Sequence, residues 1–402
     1  MIKVDEALKI ILKSIKPLGS EAVKLTSILG RVLADDIYAD SCIPAFDNSA
    51  MDGYAVRAID THGSSQDKPR ILDVIEDLKA GYLAKNTIRH NQAIRIMTGA
   101  VMPRGADSVV VVEETQKLGK NKVEIFAPIK QGENVRLKGE DIEKGELIIA
   151  KGILLSAGHI GVLASLGRQY IKVTRKPKIA ILATGDELVD VGKKLKPGKI
   201  RSSNTYTLYA QILKSGGIPK NLGIAKDRCS ELEAKIKKGL DCDVIISSGG
   251  VSVGDYDFVK HVLRKIGTHI KFWKVAMRPG KPLVFGMIKG IPVFGLPGNP
   301  VSSMVSFEIF AIPAILKMLG QDISNKKEVK AILEEGVKKK KGLRYFLRAS
   351  TIWKHDSYYT RTTGPQGSGI LKSMALANSL IILPEEEEKV EKGVRVTVRF
   401  LD

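Results

Sequence analysis

The chain has 402 residues, of which 44% are hydrophobic, 27% charged and only 5% aromatic. That length predicts three or four domains, and the apolar share is ample for packed cores, which excludes a disordered chain. A formal charge of +20 raises nucleic-acid binding, but the lysines stand scattered beside glutamates and the aromatics are too few for stacking platforms, so a small anionic ligand is the better use of that field.

No apolar run approaches the ~20 residues that cross a bilayer, and Met1-Ile2-Lys3-Val4-Asp5-Glu6 lacks a signal-peptide layout. The expectation is a soluble cytoplasmic protein with no membrane or nucleic-acid partner. Cys42, Cys229 and Cys242 show no paired spacing and the histidines form no metal-ligand pattern, so the cysteines read as reduced and structural. The densest cation runs, Lys326-Lys327 and Lys338 to Lys341, read as solvated linker.

In chain order, Val4 to about Leu33 carries helical periodicity (Ala7, Leu8, Ile11, Leu12, Ile15, then Glu21 to Leu29) and predicts a packing helix pair. From about Ile43 to Arg136, short β-prone pieces such as residues 93–97 and 108–112 are separated by Gly, Asn and Asp turns, predicting a β-rich insertion. Strand and helix patterns return between Glu140 and Tyr170. The economical division is a discontinuous N-terminal domain (1–45 and 140–175) around a β-rich insertion (46–139).

Strands at about 178–184, 219–224, 243–248, 271–276 and 291–295 then alternate with helical patterns at about 205–215, 230–239, 255–266 and 299–319. This predicts a parallel, doubly wound α/β domain over 176–322. Alternating segments at 344–349, 379–383 and 394–398 predict a small C-terminal β domain over 323–402.

The loops at the strand ends carry the chemistry. Asp243-Val244-Ile245-Ile246 empties into Ser247-Ser248-Gly249-Gly250-Val251-Ser252-Val253-Gly254-Asp255-Tyr256-Asp257. Glycines there let backbone N–H groups approach an anion, serines donate hydrogen bonds, and the acids can hold a cation or ribose hydroxyls. A second strand reaches Thr184-Gly185-Asp186-Glu187, and a third reaches Pro297-Gly298-Asn299-Pro300, where Asn299 can cap a helix with proline at its first position. Lys274, Arg278 and Lys281 bring three cations to one proline-fixed turn. Ligands of such sheets bind outside the carboxyl ends of the strands, where these loops fall. Outside this domain, residues 46–55 gather Asp47, Asn48, Ser49 and Asp52, Thr98-Gly99 ends a strand, and 134–141 joins cations to acids including Asp141.

These blocks resemble the MoeA family, the molybdopterin molybdenumtransferases. The matching stretches are FDNSAMDGYAVR at 46–57, RIMTGAVMPRGADSVV at 95–110, NVRLKGEDI at 134–142, ATGDEL at 183–188, SSGGVSVGDYD at 247–257, RPGKPL at 278–283 and GLPGNPVSS at 295–303. They run in order through almost the whole chain. The resemblance implies an elongated homodimer, an α/β domain similar to the pterin adenylyltransferase MogA, and an active site between that domain of one subunit and the β insertion of the other. It implies insertion of molybdate, or tungstate, into adenylated molybdopterin with release of AMP, downstream of a molybdopterin adenylyltransferase.

On the same footing Asp52, Thr98, Asp141, Glu187, Asp227 and Asp257 match family positions associated with activity. Glu187, Asp227 and Asp257 are expected to hold Mg²⁺ on the pyrophosphate. Thr184, Gly185, Ser248, Gly249, Gly250, Ser252, Pro297, Gly298 and Asn299 are expected to cradle pterin and nucleotide phosphates. Lys274, Arg278 and Lys281 would attract molybdate and stabilise charge as the anhydride breaks. Arg348 and Ser368 fall in blocks resembling the family's oxyanion-facing surface. Three departures from a typical member stand out: Arg278 where many relatives carry lysine, Asp255-Tyr256-Asp257 in place of a Glu-Ala-Asp arrangement, and Leu137-Lys138 in place of paired arginines. Two other readings of the same fold are adenylylation of molybdopterin and a non-enzymatic scaffold; the extra domains and the 46–55 block oppose the first, and the acids at the loop ends oppose the second.

Overall fold

A computed structural model of the chain describes residues 1–250, 258–321 and 328–401. At its centre lies a six-stranded sheet, in the spatial order Ile218–Ala225, Lys178–Thr184, Val244–Ser248, Ile291–Leu296, Pro282–Ile288 and His269–Lys274. The first four strands are parallel, Pro282–Ile288 runs antiparallel to both of its neighbours, and His269–Lys274 thereby points the same way as the first four. The doubly wound α/β architecture is therefore present, but its sheet is mixed. The strand that periodicity missed, Pro282–Ile288, starts on a proline, which a strand tolerates at its first residue.

Helices Ser203–Lys214, Cys229–Lys238 and Phe258–Lys265 and the long helical segment Pro300–Met318 flank this sheet. Alternate residues of Lys178–Thr184 divide between two cores: Ile179 and Ile181 face one, Ala180 and Leu182 the other. Both faces are thus covered, which is why the strand reads as a continuous apolar run.

Pro300–Met318 is long and apolar enough to cross a membrane by length and composition, contrary to the expectation that no such run exists. Two-thirds of it is buried inside the fold, with Phe307 and Phe310 wholly enclosed, so its apolarity serves a core. Its middle turn widens to a π-helix at Phe307–Ala311. Pro313 explains the position: its ring crowds the carbonyl four residues earlier and it offers no N–H to the α ladder.

The N-terminal segment departs from the expected helix pair. One helix forms, Val4–Ser14, with Asp5 and Glu6 in its first turn and Lys13 in its last, both matched to the helix dipole. It buries Val4, Ala7, Ile11 and Ile15 in the α/β core against the Pro300–Met318 helix and its neighbours. Pro17 then disfavours helix at Lys16. The supposed second helix is a strand, Ser20–Lys24, followed by a short 3-10 turn, Leu25–Ser27. Ser20–Lys24 pairs antiparallel with Tyr170–Thr174. Ile28, Leu33, Ile149, Leu155, Leu163, Ile171 and Val173 form a separate small core there, to which helix Ala157–Ser165 contributes.

Between these halves, the insertion is a six-stranded sheet ordered Ser108–Val111, Gly53–Val56, Gln92–Ile96, Arg70–Leu78, Lys122–Ile125 and Thr115–Leu118. Its two apolar clusters are built from its own residues. At the other end of the chain, Arg344–Lys354 pairs with both Ser357–Thr362 and Ser379–Leu383, and Glu328–Leu333 and Arg395–Phe400 complete a closed five-stranded barrel. Met277–Arg278 of the α/β domain adds a parallel strand to it. Arg344 reinforces the junction by gripping Asp5 through both terminal nitrogens, at 2.7 and 2.8 Å, and Glu385 through Nε at 3.2 Å.

A second fastening precedes the central sheet. Arg175 meets the Asp243 carboxylate in a two-point contact, and Asp243 also accepts the Lys178 N–H. Burial, the largest influence on Asp243, would raise its pKa, but Arg175 and the Lys178 N–H together hold it below the ordinary carboxylate value. The depressed pKa means that the contribution is present above roughly pH 4 and is lost as pH falls through the folded value. Asp243→Asn should destabilise the protein by about 1–3 kcal/mol near neutrality and flatten the acid limb of its stability profile, as read by urea melts between pH 7 and pH 3.

Candidate functional site

The carboxyl ends of three parallel strands, Lys178–Thr184, Val244–Ser248 and Ile291–Leu296, open onto one cleft of about 710 Å³. Its walls bring together Thr184, Gly185, Glu187, Asp227, Ser248, Gly249, Gly250, Pro297, Gly298 and Asn299. These are residues from four separate stretches of sequence, all expected at this site. Thr184 and Ser248 are buried strand-end hydroxyls, whereas Glu187 and Asn299 are exposed at the rim.

Local geometry explains the glycines. Gly249 has φ +95° and Gly250 φ +68°, the left-handed region that side chains disfavour. A Cβ on Gly249 would also strike the Thr184 carbonyl. The Gly249 N–H donates to the Leu296 carbonyl at 3.1 Å, so the strand ladder runs on into the loop. Asn299 occupies the position before the first helical turn, with Pro300 following, but its side chain makes no capping hydrogen bond. The expected cap is absent and the carboxamide stays at the cleft.

Asp227 anchors the floor beside the first strand. Its two oxygens accept from Thr184 Oγ1 at 3.3 Å and from the Asp186 N–H at 3.2 Å. Glu187 and Asp227, together with Asp186, therefore line the same cleft. Magnesium takes one or two carboxylates together with phosphate oxygens and water, and this donor set fits that use. Among the described residues no group of three His, Cys, Asp or Glu side chains gathers to form a cage of its own. Asp257 and Ser252 lie outside the described residues.

The three cations separate. Lys274 ends the edge strand with its carbonyl accepting the Ile2 N–H, and exposed Lys281 directly precedes Pro282 of the cleft wall. Arg278 is directed into the barrel: its guanidinium donates to Tyr345 Oη at 3.3 Å and lies 5.5 Å from the ring centroid. With Lys338, Lys339, Lys340 and Gln366 it lines a second, cationic cavity of about 470 Å³. The run Lys338 to Lys341, expected as solvated linker, thus contributes in part to a cavity wall. Burial alone would raise the Tyr345 phenol, but the Lys340 N–H and the neighbouring Arg278 and Lys339 outweigh it and leave its pKa lowered.

Arg348, expected to face an oxyanion, is the largest fully buried side chain of the protein's described residues. It donates to the carbonyls of Pro365, Gln366 and Gly367 and to Ser373 Oγ. Burial without a carboxylate partner lowers its pKa to about 10. Its contacts hold the loop 364–368 rather than a surface. Ser368 in that loop accepts the Val301 N–H through its carbonyl at 3.1 Å, which seats the C-terminal loop against the helix that begins at the cleft.

A separate polar patch forms on the insertion. Asp52 accepts both the Thr98 N–H and the Thr98 hydroxyl, each at 2.7 Å. Those bonds, backbone first, hold the exposed Asp52 carboxyl below its usual value. Asn48 and Ser49 pair with Arg136 and Val135, Gly99 N–H donates to the Ser49 carbonyl, and Lys138 N–H donates to Asp47 at 2.7 Å. Three blocks far apart in sequence, 46–55, 95–100 and 134–141, therefore converge. Asp141 stands exposed at the end of the third, its N–H on the Ile43 carbonyl at 3.1 Å.

Sequence reasoning missed Asn204. It lines the cleft and donates from Nδ2 to Ser248 Oγ at 2.7 Å and to the Gly298 carbonyl at 2.8 Å. The available signal was Ser202-Ser203-Asn204 immediately before a helical pattern.

A four-part α/β protein with a glycine-lined, acid-rimmed cleft at its strand ends is a class that binds phosphorylated ligands. The whole chain matches one family in three consecutive pieces: the MoeA N-terminal region (domain I and II) over residues 2–167, the probable molybdopterin binding domain over 180–317 and the MoeA C-terminal region (domain IV) over 330–401. The chain belongs to the MoeA family. A molybdopterin molybdenumtransferase of Bacillus subtilis is 38% identical over 404 residues, covering 100% of this chain and 94% of the relative. Molybdopterin molybdenumtransferase 2 of Mycobacterium tuberculosis is 36% identical, covering 99% of each chain. A crystal structure of a molybdopterin biosynthesis protein of this family from Pyrococcus horikoshii superposes with a TM-score of 0.87 at 34% identity, over 100% of this chain and 99% of that one.

Gly249→Ala tests the cleft's construction. The contact with the Thr184 carbonyl and the left-handed φ should together cost at least ~1–2 kcal/mol in denaturant melts, whereas Gly119→Ala, at a positive φ with open space around it, should incur the strain alone.

Proposed function

We propose that the protein is a molybdopterin molybdenumtransferase that inserts molybdate into adenylated molybdopterin and releases AMP. The observation that carries this reading is the strand-end cleft, in which the backbone N–H groups of Gly250 and Gly298 and the hydroxyls of Thr184 and Ser248 stand beside the Glu187 and Asp227 carboxylates. That arrangement suits a ligand with adjacent phosphates and a neutralising cation. Family membership and relatives bearing that enzyme name, the first of them matched over the full length, support the reaction over adenylylation or a scaffold role.

In this reading Glu187 and Asp227, with Asp257, would hold Mg²⁺, and the ion would supply charge neutralisation at the pyrophosphate. The backbone N–H groups orient the phosphates. Lys274 and Lys281 draw the oxyanion towards the cleft mouth, and a water oxygen adds to phosphorus as the P–O bond of the anhydride breaks, so that AMP leaves, the pterin keeps its own phosphate and the water's protons pass to solvent. No nucleophilic side chain is needed, in keeping with a cleft lined by neither histidine nor cysteine among the described residues. Asp52, pre-set as an anion by Thr98, acts from the insertion of a second protomer, so the working unit is a cytoplasmic homodimer. An adenylyltransferase supplies the substrate.

Asp52→Ala should leave the melting temperature within a few degrees of wild type and reduce AMP release at least ~100-fold, on the scale of a lost preorganised charge; wild-type turnover would remove Asp52 from the mechanism. Chelation with EDTA should stop AMP release, and added Mg²⁺ should restore it. The same assay with molybdate, tungstate or no oxyanion checks the reaction itself, because release is expected only with an oxyanion present.

A further inference from the structure

Asn204 sits in the first turn of helix Ser203–Lys214 and lines the cleft beside the two loops it touches. The residue is 9% exposed. One nitrogen bridges two elements: Nδ2 donates to Ser248 Oγ, at the end of one parallel strand, and to the Gly298 carbonyl, just beyond the end of the next. The Gly298 carbonyl can only accept, which fixes the orientation of the carboxamide.

The other half of the group tells what the residue is for. Asn204 Oδ1 is buried and has no hydrogen-bond partner among the described residues, an arrangement that carries a desolvation penalty. A leucine of similar size would fill the same space without that penalty. Packing alone therefore does not account for an asparagine here, and the donor bridge does. Ser248 and Leu296 are register partners in the sheet, and Gly249 extends that ladder by one bond. Beyond that bond the two loops leave the sheet, and Asn204 ties them together from the helix side.

We propose that Asn204 is a positioning residue for phosphate binding: it fixes the spacing of the 248–250 and 297–299 loops so that their N–H groups converge on one pyrophosphate. The inference deepens the functional reading above and rests on its assignment of this cleft to phosphates. Asn204 itself touches no reacting atom; it acts through Ser248 and Gly298. Neither loop can close on an anion correctly when the two strand ends drift independently.

The test is equilibrium binding of ADP with Mg²⁺ by calorimetry, alongside AMP release from adenylated molybdopterin, using the full-length protein. Asn204→Ala should weaken ADP binding at least tenfold and raise KM for the adenylated pterin similarly, with kcat within about threefold and a folded far-UV spectrum at the assay temperature. Asn204→Asp covers the case in which the alanine variant fails to fold. It is isosteric, but its ionised carboxylate cannot donate to Gly298, so KM should be high at pH 8 and should fall towards the wild-type value as the pH drops and the new carboxyl takes up a proton; the wild-type KM should change far less over that range. A merely structural role would lower the melting temperature and leave KM untouched. Wild type that binds ADP but releases no AMP would remove the functional reading and leave the clamp standing. Unchanged affinity in Asn204→Ala, or no ADP affinity in wild type, would overturn the clamp.

Discussion

Burial of one apolar helix, Pro300–Met318, governs the arrangement of everything around the cleft. Its Val301, Val305, Phe307, Phe310, Ala314 and Ile315 enter a core that also takes Ile179, Ile246 and Phe294 from the sheet, Val4, Ala7 and Ile11 from the N-terminal helix, and Phe346, Met374 and Leu380 from the barrel region. Each fully buried aliphatic or aromatic side chain of that kind contributes about 1.5–3 kcal/mol. The helix starts at Asn299-Pro300, on the cleft rim, and the barrel's 364–368 loop rests on its first turn through Val301 and Ser368. The position of the binding loops is thus fixed by hydrophobic packing well away from any ligand. Rigid elements carrying a site in this way hold its donors more closely than mobile loops do.

The α/β core was largely legible because its signals are local. A strand buried on both faces writes itself as an unbroken apolar run, and the hydroxyls and glycines that end it mark the turn. Ser20–Lys24 was misread because its stabilising partner, Tyr170–Thr174, lies far along the chain, and the spacing of Leu25, Ile28 and Leu29 just after it fits a helix. Pairing with a distant strand decided the conformation, as it does for many short β segments. Pro282–Ile288 escaped notice for a related reason: proline at its start and Gly286 within it both weaken a strand pattern. Gly286 is required there because a Cβ would press on the Thr268 side chain and the neighbouring His269–Lys274 strand.

The site divides in the same manner. Residues 184–187, 248–250 and 297–299 could be chosen from sequence because each sits at its own strand end. The Asp52–Thr98 pair, the Arg348 anchor and the Asn204 bridge are contacts between residues 46, 17–19 and 25, and 44 and 94 positions apart, and no periodicity reports them. Arg348 shows the difference most clearly. A lone arginine in a β segment reads as a surface cation, yet here it is enclosed and makes no ion pair among the described residues, its charge met by three carbonyl dipoles and the Ser373 hydroxyl. Such an arrangement is costly unless nearly every donor is matched, and the four acceptors around it supply that match.

One outer strand of the central sheet, His269–Lys274, pairs with Pro282–Ile288 on one side and with no further strand of that sheet among the described residues. It breaks register with its neighbour twice, between Ile270 and Phe272 and again between Phe272 and Lys274, and it carries lysines at 271 and 274. Near its end, Ile2 bridges to Val275 and covers the last backbone groups. A bulged, charged and partly capped margin is a poor template for another chain. The feature therefore bears on colloidal behaviour: it discourages sheets of separate molecules from joining side by side when the protein is concentrated.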